Sequence, residues 1–212
     1  MQRPQVINVL RFYELSTRLK NVIRTGWKRW RVNRERLESV AEHIFGTQML
    51  AIVIWSEFHY NIDIQKVMFM LAVHELEEII IKDYTPYDGI TETERMQQGH
   101  QAVHSVLDGL LKQAEIESIV LEFDARETPE ARFAYQCDKL EADLQCCLYD
   151  REGCVDLSTQ ADNPLLQDEL IREYHQQSLP WSQIWCRIDS ERIDYDENFM
   201  AILLSASGLD AD

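Results

Sequence analysis

The apolar residues of this chain recur at α-helical spacing over most of its length, and this pattern constrains the fold more than any other feature. Between Ser39 and Ile54, for example, apolar side chains fall every three or four residues, as on the buried face of a helix. The 212 residues include only seven glycines, and no segment of useful length alternates apolar and polar residues as a strand does. The sequence therefore predicts an all-α fold.

Capping residues predict where several helices begin. Two capping boxes, each a Ser or Thr followed three residues later by Glu, are expected at Ser39–Glu42 and Thr91–Glu94. Asp63 is expected to cap a helix that runs to about Ile81, and Pro129 to open a helix that runs to about Tyr149. Further helical segments are predicted near residues 6–13, 91–111, 116–123, 165–177 and 181–204, with a loop at 153–164.

Charge limits the possible partners. The formal net charge is −16, and such a surface repels nucleic-acid polymers and anionic membranes. Eight of the 21 lysines and arginines nevertheless lie in one basic segment, residues 18–36, where Glu35 is the only acid. This basic segment fits a site for a small anionic ligand, and it equally fits a solvated helix face or a partner-binding patch.

Cysteine usage and apolar run length indicate where the protein works. Five cysteines, an odd number without a Cys-x-x-Cys pair, argue against a disulfide framework or a zinc knuckle and are expected to be small buried thiols. The best apolar run, Met49 to Trp55, is far shorter than a membrane span, and the N-terminal residues show no signal-peptide pattern. We therefore expect a cytoplasmic protein that does not bind a membrane.

Imidazole and carboxylate side chains interrupt otherwise apolar helical segments at three places. These are His43, the adjacent pair His74 and Glu75, and Asp138. Taken singly, each is more often a core residue with a satisfied partner or a charge on a helix face. Taken together, two imidazoles and two carboxylates form a ligand set that suits a divalent transition metal with positions left open for water and substrate.

Five sequence blocks occur in the order found in one family. They are RTGW (24–27), ESVAEH (38–43), HELEEIIIKDYTP (74–86), TPEARF (128–133) and DKLEADLQ (138–145). On these blocks the chain resembles the HD-domain metal-dependent phosphohydrolases, and within them the 5′-deoxynucleotidase branch, which cleaves deoxynucleoside monophosphates to deoxynucleoside and phosphate. The resemblance implies an HD-domain helical bundle over residues 1–150, with residues 151–212 a C-terminal loop and helical extension packed on it.

The resemblance also implies a role for each matching position. His43, His74, Glu75 and Asp138 fall on the metal-ligand positions, and Glu78 falls on that of the catalytic glutamate. The implied cofactor is a divalent cation, with Mn, Co, Fe, Zn and Mg all left open.

Substrate contacts are implied on two segments. The turn after the His-Glu pair supplies three candidates, which are Asp83, Thr85 and Pro86. An arginine and a tryptophan upstream of His43 are expected to hold the phosphate and read the sugar. The spacing to His43 is a residue or two longer than the family pattern, so that Trp27 and the pair Arg29–Trp30 both fit.

The chain departs from the family at the pair itself, where the family has Asp and this chain has Glu75. Glutamate is one methylene longer and still ligates metals, but on a rigid helix its carboxylate would overshoot. Misplacements of about 1 Å can be costly for catalysis. The departure therefore bears on metal affinity, metal preference and activity.

The expected function is the metal-dependent removal of the 5′-phosphate from (deoxy)nucleoside monophosphates, with Glu78 handling a proton or positioning the water. Two alternatives stay open. One is a catalytically weakened HD protein that binds a nucleotide. The other is an HD phosphohydrolase that acts on another phosphate, such as an alarmone or a cyclic nucleotide.

Three minor expectations complete the prediction. Glu77 is expected to be a surface charge, and His100 with His104, spaced four residues apart, forms a much weaker second candidate for metal binding. A homodimer is expected, both from the resemblance and from the apolar terminal segments at 7–12 and 199–204.

Overall fold

The computed structural model describes residues 3–83, 89 and 91–209, and only the backbone of Glu92. Over this part of the chain the structure is helical and has no strand, apart from an isolated antiparallel bridge between Ile23 and Ser39. The α-helices are α1 Pro4–Ser16, α2 Thr25–Arg29, α3 Val40–Glu57, α4 Ile64–Val73, α5 Glu78–Ile81, α6 Glu92–Leu107, α7 Gln113–Ala125, α8 Pro129–Arg151, α9 Glu169–Gln176, α10 Trp181–Arg192 and α11 Glu197–Ser207. Short 3₁₀ helices lie at Thr17–Asn21, Leu157–Thr159 and Pro164–Gln167. The all-α prediction is confirmed.

The predicted caps set the starts of the helices that position the site. At α3, the Glu42 N–H donates to the Ser39 hydroxyl, and the Ser39 N–H donates to the Glu42 carboxylate at 2.9 Å. The same reciprocal pattern opens α6 at Thr91. The Asp63 carboxylate accepts from two backbone N–H groups of the first turn of α4. Each cap satisfies N–H groups that a helix start leaves without partners.

One predicted helix is interrupted. The segment expected to run to about Ile81 ends as α4 at Val73, and a turn over residues 74–77 separates it from α5. Within this turn the backbone bonds run from residue i+3 to residue i, as in Glu78 N–H to the Glu75 carbonyl at 3.2 Å. Such tightening to 3₁₀ geometry inside a helical segment often marks a functional hinge or a sequence under strain. The spacing of apolar residues does not reveal this turn, because buried apolar residues continue at helical spacing before and after it.

The residue that follows α5 has an unusual backbone conformation. Lys82, the residue after α5, has φ 67° and ψ 175°, a left-handed region that is essentially reserved for glycine.

The predicted helix over 181–204 is also divided into two helices, α10 and α11. The Asp196 carboxylate accepts from two backbone N–H groups and so caps the start of α11.

The chain forms two compact units. The first comprises Met1–Thr25 and Glu38–Tyr135, and the second comprises Gly26–Leu37 and Gln136–Asp212. The first unit is built around aliphatic residues, among them Leu19, Val40, Leu76, Val106 and Leu107. The second is built around aromatic residues, among them Trp27, Trp30, Tyr149, Tyr174 and Trp181. The domain boundary predicted after residue 150 stays a prediction.

The apolar terminal segments have different environments. Phe199 and Leu203 on α11 are fully buried within the second unit. Five apolar residues of α1 are instead exposed, Val6, Ile7, Val9, Leu10 and Tyr13, whereas Phe12 and Leu15 are half-buried against the core of the first unit. None of the helices within the described residues has the length and apolar character to cross a membrane. All five cysteines are buried free thiols, as predicted.

Candidate metal centre

Two buried histidines are placed by the starts and ends of helices. His43 lies in the first turn of α3, one residue after the capping Glu42, and it is 0% exposed. His74 directly follows α4, and its Nδ1 is 2.9 Å from the Leu71 carbonyl oxygen. A carbonyl oxygen only accepts, so Nδ1 carries a proton, and Nε2 is the ring nitrogen that the neutral imidazole would offer to a metal.

The Glu75 carboxylate meets both imidazoles. Its Oε1 lies 3.6 Å from Nε2 of His43 and 3.6 Å from Nε2 of His74. The ligand atoms of these three buried residues lie within 4.8 Å of one another. Two ligands bound about 2.1 Å from one ion are themselves roughly 3.0–3.5 Å apart. The observed donor set and spacing therefore fit a divalent cation, and the longer Glu75 side chain does not prevent the fit.

Asp138, the remaining predicted ligand, lies on α8 in the second unit. It is 4% exposed, and its Oδ2 pairs with Nζ of Lys139 at 2.8 Å. All four predicted ligands are thus buried. The ligand roles of these residues remain predictions.

Arg24 adds a cation that the residue-by-residue prediction did not include. Its Nη1 lies 3.1 Å from Oε1 of Glu75 and 3.5 Å from Oδ1 of Asp83. The neighbouring Thr25 fixes Asp83 further, since its N–H donates to the carboxylate and its hydroxyl donates to the Asp83 carbonyl at 2.8 Å. The predicted substrate residue Asp83 therefore lies beside the candidate metal site. The RTGW block contained the signal, because Arg24 is its first residue.

Glu78 opens α5 and is 6% exposed. Burial raises the pKa of this carboxyl well above its usual range, and the charges of Glu75 and Asp83 raise it further, against the opposing charge of Arg24. Its Oε2 is buried and has no hydrogen-bond partner in the part of the chain that the structure describes. The tight turn over residues 74–77 places the Glu78 carboxyl next to that of Glu75, and the negative charge of Glu75 favours the protonated form of Glu78.

Glu77 is not the surface charge that the sequence predicted. Burial, followed by the charge of Glu75, raises the pKa of Glu77 to about 8. Its side chain lines a small cavity with Arg95, His100 and Asp124. The Glu77 side chain packs against α6 at Gly99, where a residue with a Cβ would contact its methylenes. The prediction failed because two more acids, Glu75 and Glu78, lie within two residues of Glu77, which is also the pattern of a solvated face.

The two histidines of α6 bind different acids. Nε2 of His100 lies 2.8 Å from Oδ2 of Asp124, and Nδ1 of His104 lies 2.8 Å from Oε1 of Glu117. Each imidazole therefore has a carboxylate partner on α7, which accounts for both histidines without a metal.

Comparison with known proteins identifies the family to which this arrangement belongs. A family model described as the HD domain matches residues 16–179. The chain belongs to the HD-domain family. Its curated relatives include the 5′-deoxynucleotidase hdd1 of Schizosaccharomyces pombe, 27% identical over 204 residues that cover 91% of this chain and 100% of the relative. The 5′-deoxynucleotidase HDDC2 of Danio rerio is 31% identical over 147 residues, which cover 68% of this chain and 70% of the relative.

Solved structures agree on the fold. The crystal structure of the PH0347 protein from Pyrococcus horikoshii matches with a TM-score of 0.67 at 22% identity, covering 95% of this chain and 99% of that one. The HD-domain resemblance, including its 5′-deoxynucleotidase branch, is confirmed.

The tryptophans proposed to contact substrate lie in the core of the second unit of this HD-domain protein. Trp27 is 1% exposed and stacks on Trp185 with ring centroids 5.2 Å apart, and Trp30 is also buried. The Arg29 carbonyl accepts from the Asn163 amide at 2.9 Å. Substrate contact by Trp27, Arg29 or Trp30 stays a prediction, and the burial of both indoles speaks against their stacking on a sugar or base. Thr85 and Pro86 lie outside the described residues.

The basic segment contains ion pairs that explain part of its charge. Nη1 of Arg31 lies 2.6 Å from Oδ1 of Asp162, and Nε of Arg34 lies 2.8 Å from Oε2 of Glu152. Both arginines are exposed. These two positions therefore fit the solvated-face interpretation, whereas Arg24 pairs with two carboxylates of the protein itself, and the site for a small anionic ligand stays a prediction.

Proposed function

We propose that this HD-domain protein is a metal-dependent phosphohydrolase that removes the 5′-phosphate from (deoxy)nucleoside monophosphates. The observation that carries the proposal is the convergence of His43, His74 and Glu75 at ligand-like distances in a buried site. The substrate class is supported by the relatives, which are named 5′-deoxynucleotidases.

The proposed metal ligands are His43, His74, Glu75 and Asp138. The first three are supported by their mutual distances, and Asp138 by its burial and its place in the DKLEADLQ block. When bound, a divalent cation supplies a water that is nucleophilic at neutral pH and positive charge that offsets the phosphate dianion. The imidazole and carboxylate donors fit several such ions, which leaves the metal to be identified by titration.

Glu78 is the proposed proton carrier. Burial and the charges of Glu75 and Asp83 raise its pKa, which favours the protonated carboxyl, and Oε2 has no hydrogen-bond partner among the described residues. In this proposal Glu78 donates that proton to the departing 5′ oxygen. Asp83, fixed by Arg24 and Thr25, is the proposed substrate contact next to it.

The test is phosphate release by the purified full-length protein from a panel of substrates. The panel contains deoxynucleoside and nucleoside monophosphates, a cyclic nucleotide and an alarmone, each with Mn²⁺, Co²⁺ or Mg²⁺. We expect turnover of the monophosphates that a chelator abolishes. Turnover of the cyclic nucleotide or the alarmone alone would replace the proposed substrate.

The panel also separates an enzyme from a weakened binder. Nucleotide binding without hydrolysis by any metal form would support the weakened HD protein, whose sequence basis is Glu75 in place of Asp. The matched variant for that outcome is Glu75→Asp, which would then gain turnover.

A homodimer and a cytoplasmic location are further proposals. The exposed apolar residues of α1 support the dimer, whereas α11 no longer does, because its apolar face is buried within its own unit. The five free thiols are consistent with a reducing compartment. Light scattering that shows a single 25.0 kDa chain at micromolar concentration would contradict the dimer.

A further inference from the structure

Arg24 connects the two backbone segments that carry the proposed ligands of the first unit. Its backbone N–H donates to the Glu38 carbonyl at 3.1 Å, just before the helix that carries His43. Its guanidinium lies 3.1 Å from Oε1 of Glu75, in the turn that carries the other two ligands. One residue therefore contacts both segments, and its side chain is 17% exposed.

Arg24 is itself held in place. Its Nη1 also lies 3.5 Å from Oδ1 of Asp83, and Asp83 is bound twice by Thr25, the next residue. A guanidinium fixed by one carboxylate presents its remaining N–H groups in a defined direction, because the group is planar. Arg24 can thus define the position of a second carboxylate.

The Glu75 side chain needs such a constraint. Glutamate has one more rotatable bond than aspartate, and ordering each long side chain has an entropic cost. The Oε1 that Arg24 contacts is the same atom that lies 3.6 Å from both imidazole Nε2 atoms. The hydrogen bond from Arg24 therefore coincides with the ligand-ready position of Glu75 and does not draw the carboxylate away from the histidines.

We propose that Arg24 is a positioning residue, which holds the Glu75 carboxylate in register with His43 and His74 and thereby compensates for the length of the glutamate side chain. The inference rests on the proposed function, since it assigns Arg24 a role toward the metal of that site. Hydrogen bonds to metal-ligating carboxylates typically change metal affinity by about 10–100-fold when removed.

A purely electrostatic role predicts the opposite sign. A guanidinium near a divalent cation repels it, so that loss of Arg24 would strengthen metal binding if charge alone mattered. Positioning instead predicts weaker binding. The direction of the change in metal Kd therefore separates the two roles.

The experiment measures Mn²⁺ and Co²⁺ affinity of the metal-free, full-length protein by calorimetry. We expect Arg24→Met to weaken binding by about 10–100-fold. Arg24→Lys, which keeps the charge but not the planar fork, is expected to lie between Arg24→Met and the wild type. Arg172→Met, which removes an exposed arginine of α9, is the matched control and should not change the Kd. Circular dichroism of each variant checks that it is folded, and Arg24→Lys serves if Arg24→Met is not.

A double-mutant cycle with Glu75→Asp tests the compensation. The shorter aspartate cannot reach Arg24 as glutamate does, so we expect Arg24→Met to cost less in the Glu75→Asp background. Equal losses in both backgrounds would reduce Arg24 to a general structural role and overturn the proposal. Unchanged or tighter metal binding by Arg24→Met would also overturn it.

The outcomes distinguish this inference from the proposed function. A wild type that binds no divalent metal overturns both. A wild type that binds metal and hydrolyses nucleotides, together with an unaffected Arg24→Met, overturns only the role of Arg24. Weaker metal binding in Arg24→Met with no hydrolysis by the wild type supports the positioning role and overturns the hydrolase.

Discussion

Both units bury carboxyl groups, but they treat them differently. In the second unit, the fully buried Asp143 accepts from Nε1 of Trp185 at 2.8 Å and from the hydroxyl of Tyr195 at 2.7 Å, and it shares a hydrogen bond with Asp189. In the first unit, Oε1 of Glu75 lies 3.6 Å from Nε2 of His43 and 3.6 Å from Nε2 of His74, and Oε2 of Glu78 has no hydrogen-bond partner among the residues that the structure describes.

The difference lies in the balance of donors and acceptors. The Asp143 site supplies a neutral donor for each carboxylate oxygen, so that the network is satisfied by the protein alone. The His43–His74–Glu75 site instead brings two imidazoles and a carboxylate to ligand-like distances beside the Arg24 guanidinium, and this set of side chains fits a bound cation. Burial of an acid therefore does not distinguish a structural network from a functional site, whereas the identity of its neighbours does.

Loss of a ligand should give the largest effect. His74→Ala removes one of the two converging Nε2 atoms, and we expect the protein to retain no metal after dialysis and to have no measurable turnover. Metal content by atomic emission and kcat with added Mn²⁺ measure the two consequences. Stoichiometric metal in the purified variant would remove His74 from the ligand set.

Glu78→Gln should separate turnover from metal binding. The amide cannot carry the transferable proton, so we expect kcat to fall by about 10²–10⁴-fold while metal affinity stays close to that of the wild type. The measurement is kcat on a deoxynucleoside monophosphate at saturating metal. Equal kcat values for variant and wild type would make Glu78 a buried acid without a catalytic role.

The Asp143 network should respond in stability and not in rate. Tyr195→Phe removes the hydroxyl that donates to Asp143, which we expect to lower the free energy of unfolding by about 1.5–3 kcal/mol, as for a lost hydrogen bond to a charged group. Chemical denaturation measures this change, and kcat should stay that of the wild type. A large loss of kcat without a change in stability would place this network in the reaction.

The pH dependence of stability should carry a smaller signature of the same network. Burial raises the pKa of Asp143 well above its usual range and raises the pKa of Asp189, against the opposing charges of Lys139 and Arg192. Because the folded state holds the shared proton more tightly, the stabilisation is fully present below about pH 4 and is lost as pH rises through the raised pKa of the pair.

Asp189→Asn tests this dependence. The amide can keep the hydrogen bond with Asp143 but carries no charge that raises the pKa of Asp143, so we expect the thermal unfolding midpoint of the variant to fall less than that of the wild type between pH 5 and pH 8. The measurement uses metal-free protein, which keeps metal binding out of the comparison. Parallel curves for the two proteins would mean that the pair does not hold a proton across this range.

Local signals in the sequence predicted much of the fold. The Ser39–Glu42 and Thr91–Glu94 boxes gave two helix starts, because capping depends on residues three apart. The interruption after Val73 was not predictable from periodicity, since apolar residues continue at helical spacing on both sides of it. Glu78 therefore opens a new helix, α5, after the turn and does not continue the helix that ends before His74.

The site was predictable to the extent that its residues lie within recognisable blocks. His43, His74 and Glu75 were predicted together and do lie together. The contact from Arg24 to Glu75 joins residues 51 positions apart, and no local pattern encodes which of eight basic residues makes it. The substrate assignment of Trp27 and Trp30 followed sequence order, which does not show that an aromatic core encloses both indoles.

The backbone conformation at Lys82 affects both the stability of the protein and the position of Asp83. A non-glycine residue in that region stores about 1–3 kcal/mol of strain, and here it lies directly before Asp83, which Arg24 and Thr25 hold. A glycine at position 82 would release the strain but would also widen the range of conformations open to the unfolded chain. A substitution at position 82 that raises thermal stability therefore also changes the backbone next to Asp83. Stability gained there would come with a less tightly fixed Asp83.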